Sequence, residues 1–464
     1  MRQPRSDPRT AAESLRVADL DQFEEEVVFS EWRALRRRAT RSLARTRQLL
    51  EVLGCDPAAA PHRTLGVVGS KGKGTAAAYS SAALAGSGLR VGTVMSPGVV
   101  SNADRIRIDG VALDDETRRW ALEQVQRGRE QLPEATAESG YLAPTGLFIV
   151  MAMLVFAETG VQAVVAEAGI GGASDDLSHW PLDGVAVTGI FGEHLDLLGP
   201  EVADVARDKT AVITDETEFC LSFPQDPVPA AVLRARCEAT GTSLLAPSPR
   251  AEGLVGHLPT GLQRTNAAVG VAAGLALADR LPGAASAGTQ RHDEEKSRSL
   301  LPGGDGEGEE RNILRDAPPQ VSQRLSRAVA SVTYPGRMSV HTTPGGRRCV
   351  VDSAVSEAGL AAALAFAESR LPKVDLVLVC LPPSKDLTGF IRGLRDFAGR
   401  RIFVELPEAY TGMPDRSDWP WEWADQEALP GLLEAGDSLA VGTVLYTSHV
   451  LGLLGAEAQR LFAR

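Results

Sequence analysis

A glycine-rich turn between a buried strand and a small-residue helix constrains the fold of this chain most. The stretch "LGVVGSKGKGTAAAYSSAALAGSG" spans residues 65–88. Glycines let backbone N–H groups turn toward phosphates, and the N-terminus of the helix adds partial positive charge. The usual loop places Ser or Thr directly after Lys, whereas Gly74 separates Lys73 from Thr75 here. The sequence therefore predicts a nucleotide-binding α/β domain with an unusual phosphate loop.

Short Val/Ile-rich runs alternate with Ala-rich stretches around this turn. The runs predict buried strands over 64–69, 89–95, 161–169 and 183–191. The Ala-rich and apolar stretches predict helices over 74–86, 146–160, 200–213 and 265–281. Such alternation is typical of a parallel sheet with helices on both faces. A helix over 24–53 is predicted to precede the sheet.

The second half of the chain repeats this pattern after a change in composition. Residues 283–320 are rich in Gly, Glu, Asp, Ser and Arg and predict a disordered acidic insert or linker. A smaller Rossmann-like α/β domain is predicted to follow, with strands over 347–353, 373–381, 400–406 and 437–443. The predicted division is an extension over 1–20, an ATP-binding domain over 21–282, the insert over 283–320 and a C-terminal domain over 321–464.

Charge and cysteine usage limit the partners and the compartment. The 464 residues carry a net charge of −12, which argues against nucleic acid or an anionic membrane as the main partner. The arginine run over 31–48 is either a basic tract or, as we favour, the solvated face of a helix. Five scattered cysteines, no signal peptide and no apolar run of 18 residues predict a cytoplasmic protein with free thiols. We expect a monomer.

Several motifs together resemble one known family. The loop "GSKGKGT" is similar to the "GTNGKGS" loop of folylpolyglutamate synthases and dihydrofolate synthases, a branch of the Mur ligase family in which a glycine also separates Lys from Ser. The order and spacing of further motifs carry the resemblance from about residue 18 to the C-terminus, without the insert. These motifs are "VGTVMSPGVVSNADRIRIDG" (91–110), "VVAEAGIGGASDD" (164–176), "GVAVTGIFGEHLDLLG" (184–199), "VARDKTAVI" (205–213), "GLQRTNAAV" (261–269), "YPGRM" (334–338) and "VVDSAVSEAG" (350–359).

The resemblance implies a fold and a reaction. The fold would be a phosphate-loop ATPase domain followed by a smaller Rossmann-like domain, the central and C-terminal domains of a Mur ligase. The reaction would join a carboxylate to the amine of an amino acid: ATP and Mg²⁺ are the implied cofactors, and an acyl phosphate is the implied intermediate. The implied partners are therefore a small carboxylic acid and an amino acid.

The same resemblance assigns roles to individual residues. It implies catalytic roles for Lys73, His194 and Lys209, with Lys209 as a lysine that is often carbamylated in the family. The implied Mg²⁺ ligands are Thr75, Glu167 and His194. Lys385 is either a phosphate-side lysine or a plain surface lysine. The implied nucleotide-binding residues are Gly69, Gly72, Lys73, Gly74, Thr75, Gln263, Asn266, Arg337 and Asp352.

The chain also departs from the family pattern, mostly where substrates bind. Lys71 stands in place of the loop Asn, and Gly98 replaces a histidine of the loop that family members use for the pterin. Residues 355–357 read Val-Ser-Glu in place of His-Asn-Pro. We therefore expect a ligase with a non-folate substrate in specialised biosynthesis. The alternatives are an authentic folate enzyme with sequence drift and a silent nucleotide-binding homologue; a phosphate-loop kinase or GTPase lacks its base-reading motif here.

Overall fold

Two β-sheets organise the chain, and a computed structural model describes them over residues 8–281, 319–406 and 412–464. The strands are β1 Arg63–Val68, β2 Val91–Val94, β3 Ile106–Ile108, β4 Val111–Ala112, β5 Ala163–Glu167, β6 Gly184–Val187, β7 Phe219–Ser222, β8 Ser243–Leu245, β9 Ser339–Thr342, β10 Arg348–Asp352, β11 Leu376–Cys380, β12 Arg400–Glu405, β13 Glu422–Asp425 and β14 Ser438–Gly442. The α-helices are α1 Pro8–Leu35, α2 Leu43–Val52, α3 Lys73–Gly86, α4 Asp115–Arg129, α5 Pro144–Glu158, α6 Leu195–Leu198, α7 Val202–Thr210, α8 Pro227–Thr240, α9 Pro249–Leu254, α10 Leu262–Ala278, α11 Pro319–Ala330, α12 Glu357–Arg370, α13 Leu387–Gly393, α14 Leu429–Glu434 and α15 Val444–Leu453.

The first sheet has eight strands in the order β4-β3-β2-β5-β1-β6-β7-β8. The six strands from β2 to β8 are parallel, as the sequence predicts, whereas β3 and β4 form an antiparallel extension. The phosphate loop leaves the carboxyl end of β1, in the middle of the sheet, where ligands of open α/β sheets bind. Val67 pairs in register with Glu167, so Glu167 lies directly beside the start of this loop.

Small residues bring α3 and α10 together behind the loop. Both helices are rich in Ala and Gly, and their facing residues are buried. A Cβ on Gly270 would overlap the backbone carbonyl of Ala76, so only glycine permits this separation. The close packing fixes the first turn of α3, which carries the phosphate loop, against α10.

The second sheet has six strands in the order β13-β12-β11-β14-β10-β9. Its five strands from β13 to β10 are parallel, and β9 pairs antiparallel with β10. The four strands predicted from the sequence are β10, β11, β12 and β14, whose central residues are fully buried. The exposed or half-buried edge strands β9 and β13 were not predicted, because they lack a continuous apolar run.

The N-terminal region differs from the prediction. Helix α1 begins at Pro8, inside the segment predicted as an extension, and the single helix predicted over 24–53 is two helices. The break has a local cause, since Ser42 caps α2 by accepting a hydrogen bond from the Arg45 backbone N–H at 3.3 Å.

The arginine run does not form a solvated face throughout. Arg41 pairs with the buried carboxylates of Asp175 and Asp176, at 3.1 and 3.2 Å. Arg45 is 3% exposed and pairs with Glu31 at 2.8 Å. These two arginines therefore tie α2 to the sheet and to α1.

The domain boundary predicted at residue 321 stays a prediction and lies within α11, which contacts the first domain. Helix α11 packs on α3 of the first domain, with the Leu325 backbone against Gly86. The end of the chain returns to the first domain as well, since Leu461 donates a backbone hydrogen bond to the Gly110 carbonyl at 2.7 Å. Phe462 is buried in the core formed by α3 and α10. The second sheet itself begins only at β9.

Three further predictions concern the insert, the cysteines and membrane-spanning helices. Residues 282–318, which hold nearly all of the predicted insert, lie outside the described residues. All five cysteines are free thiols, as predicted. Within the described ranges, no helix has the length and hydrophobicity needed to cross a membrane.

Candidate active site

The loop from Gly69 to Gly72 connects the central strand to α3. Gly69 and Gly72 have positive φ values of 139° and 91°, which favour glycine. A Cβ on Gly72 would overlap the amide nitrogen of Asn266, and one on Gly69 would overlap the Thr188 hydroxyl. The predicted loop glycines are therefore required by the backbone turn and by the residues beneath it.

Gly74, the residue that makes the loop unusual, lies against a side chain from the segment that leads into the second domain. A Cβ on Gly74 would overlap the hydroxyl of Tyr334. Burial raises the pKa of Tyr334 to about 12, so the phenol is neutral at physiological pH. The phenol thus packs on the first turn of α3, and this contact excludes any larger residue between Lys73 and Thr75. The sequence pattern alone could not show this contact, because Tyr334 is 260 residues away in the chain.

Two lysines converge on one carbonyl oxygen at the start of the loop. Lys73 Nζ donates to the Gly69 carbonyl at 3.1 Å, and Lys209 Nζ donates to the same oxygen at 3.0 Å. Lys209 is 1% exposed and also pairs with Glu193 at 2.9 Å. Burial and the charge of Lys73 lower the pKa of Lys209, while Glu193 opposes the shift. Two ammonium groups at the mouth of a phosphate loop form a binding place for a polyphosphate.

Glu167 ends β5 beside these lysines. Its side chain is 4% exposed and accepts a hydrogen bond from the Ser96 backbone N–H at 3.1 Å. Burial raises the pKa of this carboxyl to about 7, and the charge of Lys73 acts in the opposite direction. A buried carboxylate that faces a phosphate loop is the hard oxygen ligand that Mg²⁺ prefers.

The other predicted metal residues lie near the same two lysines, Thr75 in the helix that begins at Lys73 and His194 within range of the charges of Lys73 and Lys209. Thr75 is 4% exposed in the first turn of α3. His194 precedes α6 in a left-handed conformation, with φ 49°. Burial, aided by nearby lysines, lowers the pKa of His194 despite Glu193, so the ring is neutral at pH 7 as a metal ligand must be. Among the residues that the structure describes, no three His, Cys, Asp or Glu side chains form a metal cluster. Glu167, Thr75 and His194 thus fit a metal that also binds phosphate oxygens and water, as Mg²⁺ does in nucleotide sites.

The predicted nucleotide residues on α10 link the loop to the second domain. Asn266 is 2% exposed beneath Gly72, and its side-chain oxygen has no hydrogen-bond partner. Gln263 donates from Nε2 to the Arg337 carbonyl at 3.2 Å. The unpaired Asn266 oxygen is an acceptor for a donor group, as a nucleotide supplies.

Arg337 and Asp352 form the opposite side of the cleft. The Arg337 guanidinium donates to the Ser353 hydroxyl, and Asp352 accepts from the Met338 backbone N–H at 2.9 Å. Burial raises the pKa of Asp352, while Arg337 and Lys71 lower it. The charge of Arg337 also lowers the pKa of Glu167, so this second-domain arginine acts on the first-domain carboxylate. The role of Lys385 was left open by the sequence. Its charge lowers the pKa of His194, so this second-domain lysine lies near the first-domain histidine.

The loop after β2 closes the remaining side of the cleft. Asp104 is buried and accepts from the backbone N–H groups of Val99 and Val100 at 2.6 and 2.7 Å. Ser448 of the second domain donates to the Val99 carbonyl at 2.7 Å. A Cβ on Gly98 would overlap the Ser101 carbonyl, so this loop conformation excludes a histidine there. The structure also places Ser96 and Tyr334 in the site, which sequence reasoning missed because one acts through its backbone and the other through a distant contact.

The fold and these contacts define a two-domain α/β protein with a phosphate loop, in which both domains contribute charged groups to one cleft. The solved structures that it resembles have the same architecture. A Mycobacterium tuberculosis folylpolyglutamate synthase complexed with ADP has a TM-score of 0.70 and 18% identity, over 95% of this chain and 99% of that one. A Thermotoga maritima folylpolyglutamate synthase has a TM-score of 0.69 and 15% identity, over 93% and 98%. At these identities the likeness shows the fold, and the predicted fold class is confirmed.

Relatives in sequence point the same way. An Escherichia coli dihydrofolate synthase/folylpolyglutamate synthase is 27% identical over 161 residues, which are 35% of this chain and 36% of that protein. A mitochondrial folylpolyglutamate synthase of Cricetulus griseus is 33% identical over 215 residues, 44% of this chain and 35% of that protein. No protein-family model matches the chain. The matched stretches span about a third of these relatives. The predicted resemblance is confirmed: the chain is similar in sequence to these synthases over part of their length and has the two-domain fold of their solved structures.

Proposed function

We propose that this protein is an ATP-dependent ligase that joins a carboxylate to the amine of an amino acid. One observation carries the proposal: Lys73 and Lys209 share the Gly69 carbonyl beside buried Glu167, and Arg337 of the other domain acts on that carboxylate. A set of cations around a phosphate loop is suited to hold ATP and to neutralise charge on a transferred phosphate. Solved structures of similar fold are complexes with AMPPCP and with ADP, which supports a nucleotide here.

The proposed reaction has two steps, phosphoryl transfer to the carboxylate and attack by the amine. An oxygen of the substrate carboxylate attacks the γ-phosphorus, the bond to the β–γ bridging oxygen breaks, and ADP leaves. The amine then attacks the carbonyl carbon of the acyl phosphate, phosphate leaves, and the nitrogen loses a proton. Lys73 and Lys209, which share the Gly69 carbonyl, would hold phosphate oxygens, and Arg337 would approach from the second domain. The residues position and neutralise charge, and none needs to become a covalent nucleophile.

Glu167, Thr75 and His194 are the residues that would hold Mg²⁺. When bound there, Mg²⁺ supplies charge neutralisation for phosphate oxygens. Metal binding requires a neutral imidazole and an ionised carboxylate. The lowered pKa of His194 favours the neutral ring, whereas Glu167, whose pKa is raised to about 7, must first lose its proton. Carbamylation of Lys209 stays a prediction, and the burial that lowers its pKa would favour the neutral amine which that reaction needs. A carbamate is an anion, so in that form Lys209 would no longer hold phosphate oxygens, and Lys73 and Arg337 would supply the positive charge.

The acid substrate is proposed to differ from folate. The loop after β2 is packed against the second domain, and Gly98 leaves no room for the histidine that the resembled family has there. The cavity between this loop and the segment from Tyr334 to Arg337 holds only about 10 Å³. A pterin would require this loop to rearrange. The alternative is an authentic folylpolyglutamate or dihydrofolate synthase, which the names of the relatives favour equally.

The test is release of ADP and phosphate with Mg·ATP over a panel of carboxylic acids and amino acids, including folates with glutamate. Turnover that requires both an acid and an amine, and that is lost in Lys73→Ala, would support the ligase. Folate glutamylation at a rate comparable with that of the relatives would replace the non-folate proposal by the alternative. Nucleotide binding without turnover on a broad panel would contradict the ligase and favour a silent homologue. A cytoplasmic monomer stays a prediction.

A further inference from the structure

Lys71 belongs to the first domain by its backbone. It lies in the loop between β1 and α3 and forms an antiparallel bridge with Gly189. The neighbouring Ser70 donates its backbone N–H to the Gly189 carbonyl at 2.9 Å. The backbone of Lys71 is therefore held beside the central strands by these backbone contacts with Gly189.

Its side chain reaches the second domain. Lys71 Nζ lies 3.2 Å from the position that a Cβ on Gly359 would occupy, and the Ser356 hydroxyl lies 3.3 Å from the same position. Both residues belong to the turn between β10 and α12 and its first helical residues, 352–359, which we call the β10–α12 turn. The ammonium group thus rests on the turn that replaces the His-Asn-Pro motif of the resembled family.

The charges around Lys71 distinguish it from a structural ion pair. Asp352 attracts the ammonium, whereas Arg337 and Lys385 repel it, and burial lowers its pKa most. The structure shows no ion pair of Lys71 with a carboxylate among the described residues, and the side chain is half-buried. A partly desolvated ammonium without a direct partner contributes little to folding, so stability alone gives no reason for a lysine at this position.

The β10–α12 turn also controls Arg337. Ser353, in the turn, accepts a hydrogen bond from the Arg337 guanidinium, and Asp352 holds the backbone of Met338 at 2.9 Å. A displacement of the turn therefore displaces the arginine that faces Glu167. A continuous set of contacts runs from the phosphate loop through Lys71 and the turn to Arg337.

We propose that Lys71 is a positioning residue that ties the phosphate loop to the β10–α12 turn and so sets the distance between Lys73 and Arg337 across the cleft. Its effect on turnover rests on the proposed function, whereas its effect on the turn does not. Lys73 would hold the nucleotide, and Lys71 would hold the opposite domain against it.

The test compares Lys71→Met, which keeps the length and removes the charge, with Lys71→Arg, which keeps the charge. Lys373→Met is the matched control, since the Lys373 side chain is 78% exposed in the second domain. Hydrogen exchange is measured across the chain, together with the thermal midpoint, the affinity for Mg·AMPPCP, and kcat and KM. We expect Lys71→Met to speed exchange within 353–359 by about fivefold or more and to lower kcat by about tenfold or more. In Lys71→Met, the affinity for Mg·AMPPCP and the thermal midpoint should stay nearly unchanged. Lys71→Arg should show exchange and kcat close to those of the wild-type protein.

Each other outcome overturns the inference. Unchanged exchange in the turn would mean that Lys71 does not hold it. A lower midpoint with faster exchange throughout would assign Lys71 a structural role. A loss of nucleotide affinity that accounts for the whole loss of kcat/KM would make it a nucleotide ligand only. If the wild-type protein shows no turnover, the proposed function fails, and the exchange measurement still decides whether Lys71 ties the domains.

Discussion

The two sides of the cleft are built in different ways. On the first-domain side, Glu167 and Lys209 are almost fully buried, and their positions are set by strand ends and by α7. On the second-domain side, Arg337 and residues 355–357 of the β10–α12 turn are half-buried, and the turn is held by side-chain and backbone hydrogen bonds to Arg337, Met338 and Asp386. The candidate phosphate and metal residues of the first domain match the resembled family, as do Arg337 and Asp352 of the second. The departures lie at Lys71, at Gly98 and at residues 355–357, mostly where the resemblance implies that substrates bind.

The largest effect is expected from Lys73→Ala on the first-domain side. Loss of an ammonium that faces the transferred phosphate should lower kcat by about 100- to 1000-fold. Lys373→Ala is the control, because it removes an exposed second-domain cation and should leave the rate unchanged. Steady-state ADP release measures both. An effect below about tenfold would mean that the Lys73 ammonium does not stabilise the transferred phosphate.

Glu167→Gln should affect activity and stability in opposite directions. Burial raises the folded-state pKa of Glu167 from its ordinary value of 4.5 to about 7. The unfolded chain ionises more readily, so Glu167 destabilises the protein most above pH 7, and this penalty fades as the pH falls toward 4.5. The Gln variant should be more stable by up to about 3 kcal/mol at pH 8 and by much less at pH 5, while losing Mg²⁺-dependent turnover.

Urea unfolding of both proteins in EDTA at pH 8 and pH 5 measures this difference. A Gln variant that is less stable at pH 8 would show that the carboxylate contributes to folding rather than to metal binding.

Gly74→Ala tests the contact between the two sides. The added Cβ meets the Tyr334 phenol, and we expect a loss of about 1–3 kcal/mol in the free energy of unfolding. The double variant Gly74→Ala/Tyr334→Ala should be less destabilised than the sum of the single variants, because the overlap is gone. Strict additivity in denaturant unfolding would exclude the contact.

Gly98→His has the smallest expected effect on activity, although it should lower stability. The added Cβ would overlap the Ser101 backbone carbonyl, so we expect a loss of about 3 kcal/mol in the free energy of unfolding and no gain of folate glutamylation. Thermal unfolding and a folate assay check this, with the exposed Gly253→His as a control because a Cβ at Gly253 meets no atom within 4 Å. A stable variant that gains folate activity would favour the authentic folate enzyme over the non-folate proposal.

The sequence predicted eight strands, most of which a continuous apolar run marks: β1, β2, β5, β6, β10, β11, β12 and β14. It missed β3, β4, β8, β9 and β13, which are short or partly exposed and carry no such run, and it also missed β7, which is buried but only four residues long. The domain boundary predicted at residue 321, where the composition changes, lies within α11, and Leu325 of this helix packs in the first core. For the site, strand-end and loop residues were predictable by pattern, whereas the pairing of Arg41 with Asp175 was not.

The sequence by itself determined the phosphate loop, the alternation of strands and helices, and the family that the chain resembles, because these depend on local spacing and composition. Only the tertiary structure decided why Gly74 must be glycine, that Lys73 and Lys209 share one carbonyl oxygen, and that Lys71 reaches the other domain. Each of these contacts joins residues far apart in the chain. Their distances are set by the packing of α3 on α10 and by the return of the C-terminal segment to the first domain, which no local pattern contains.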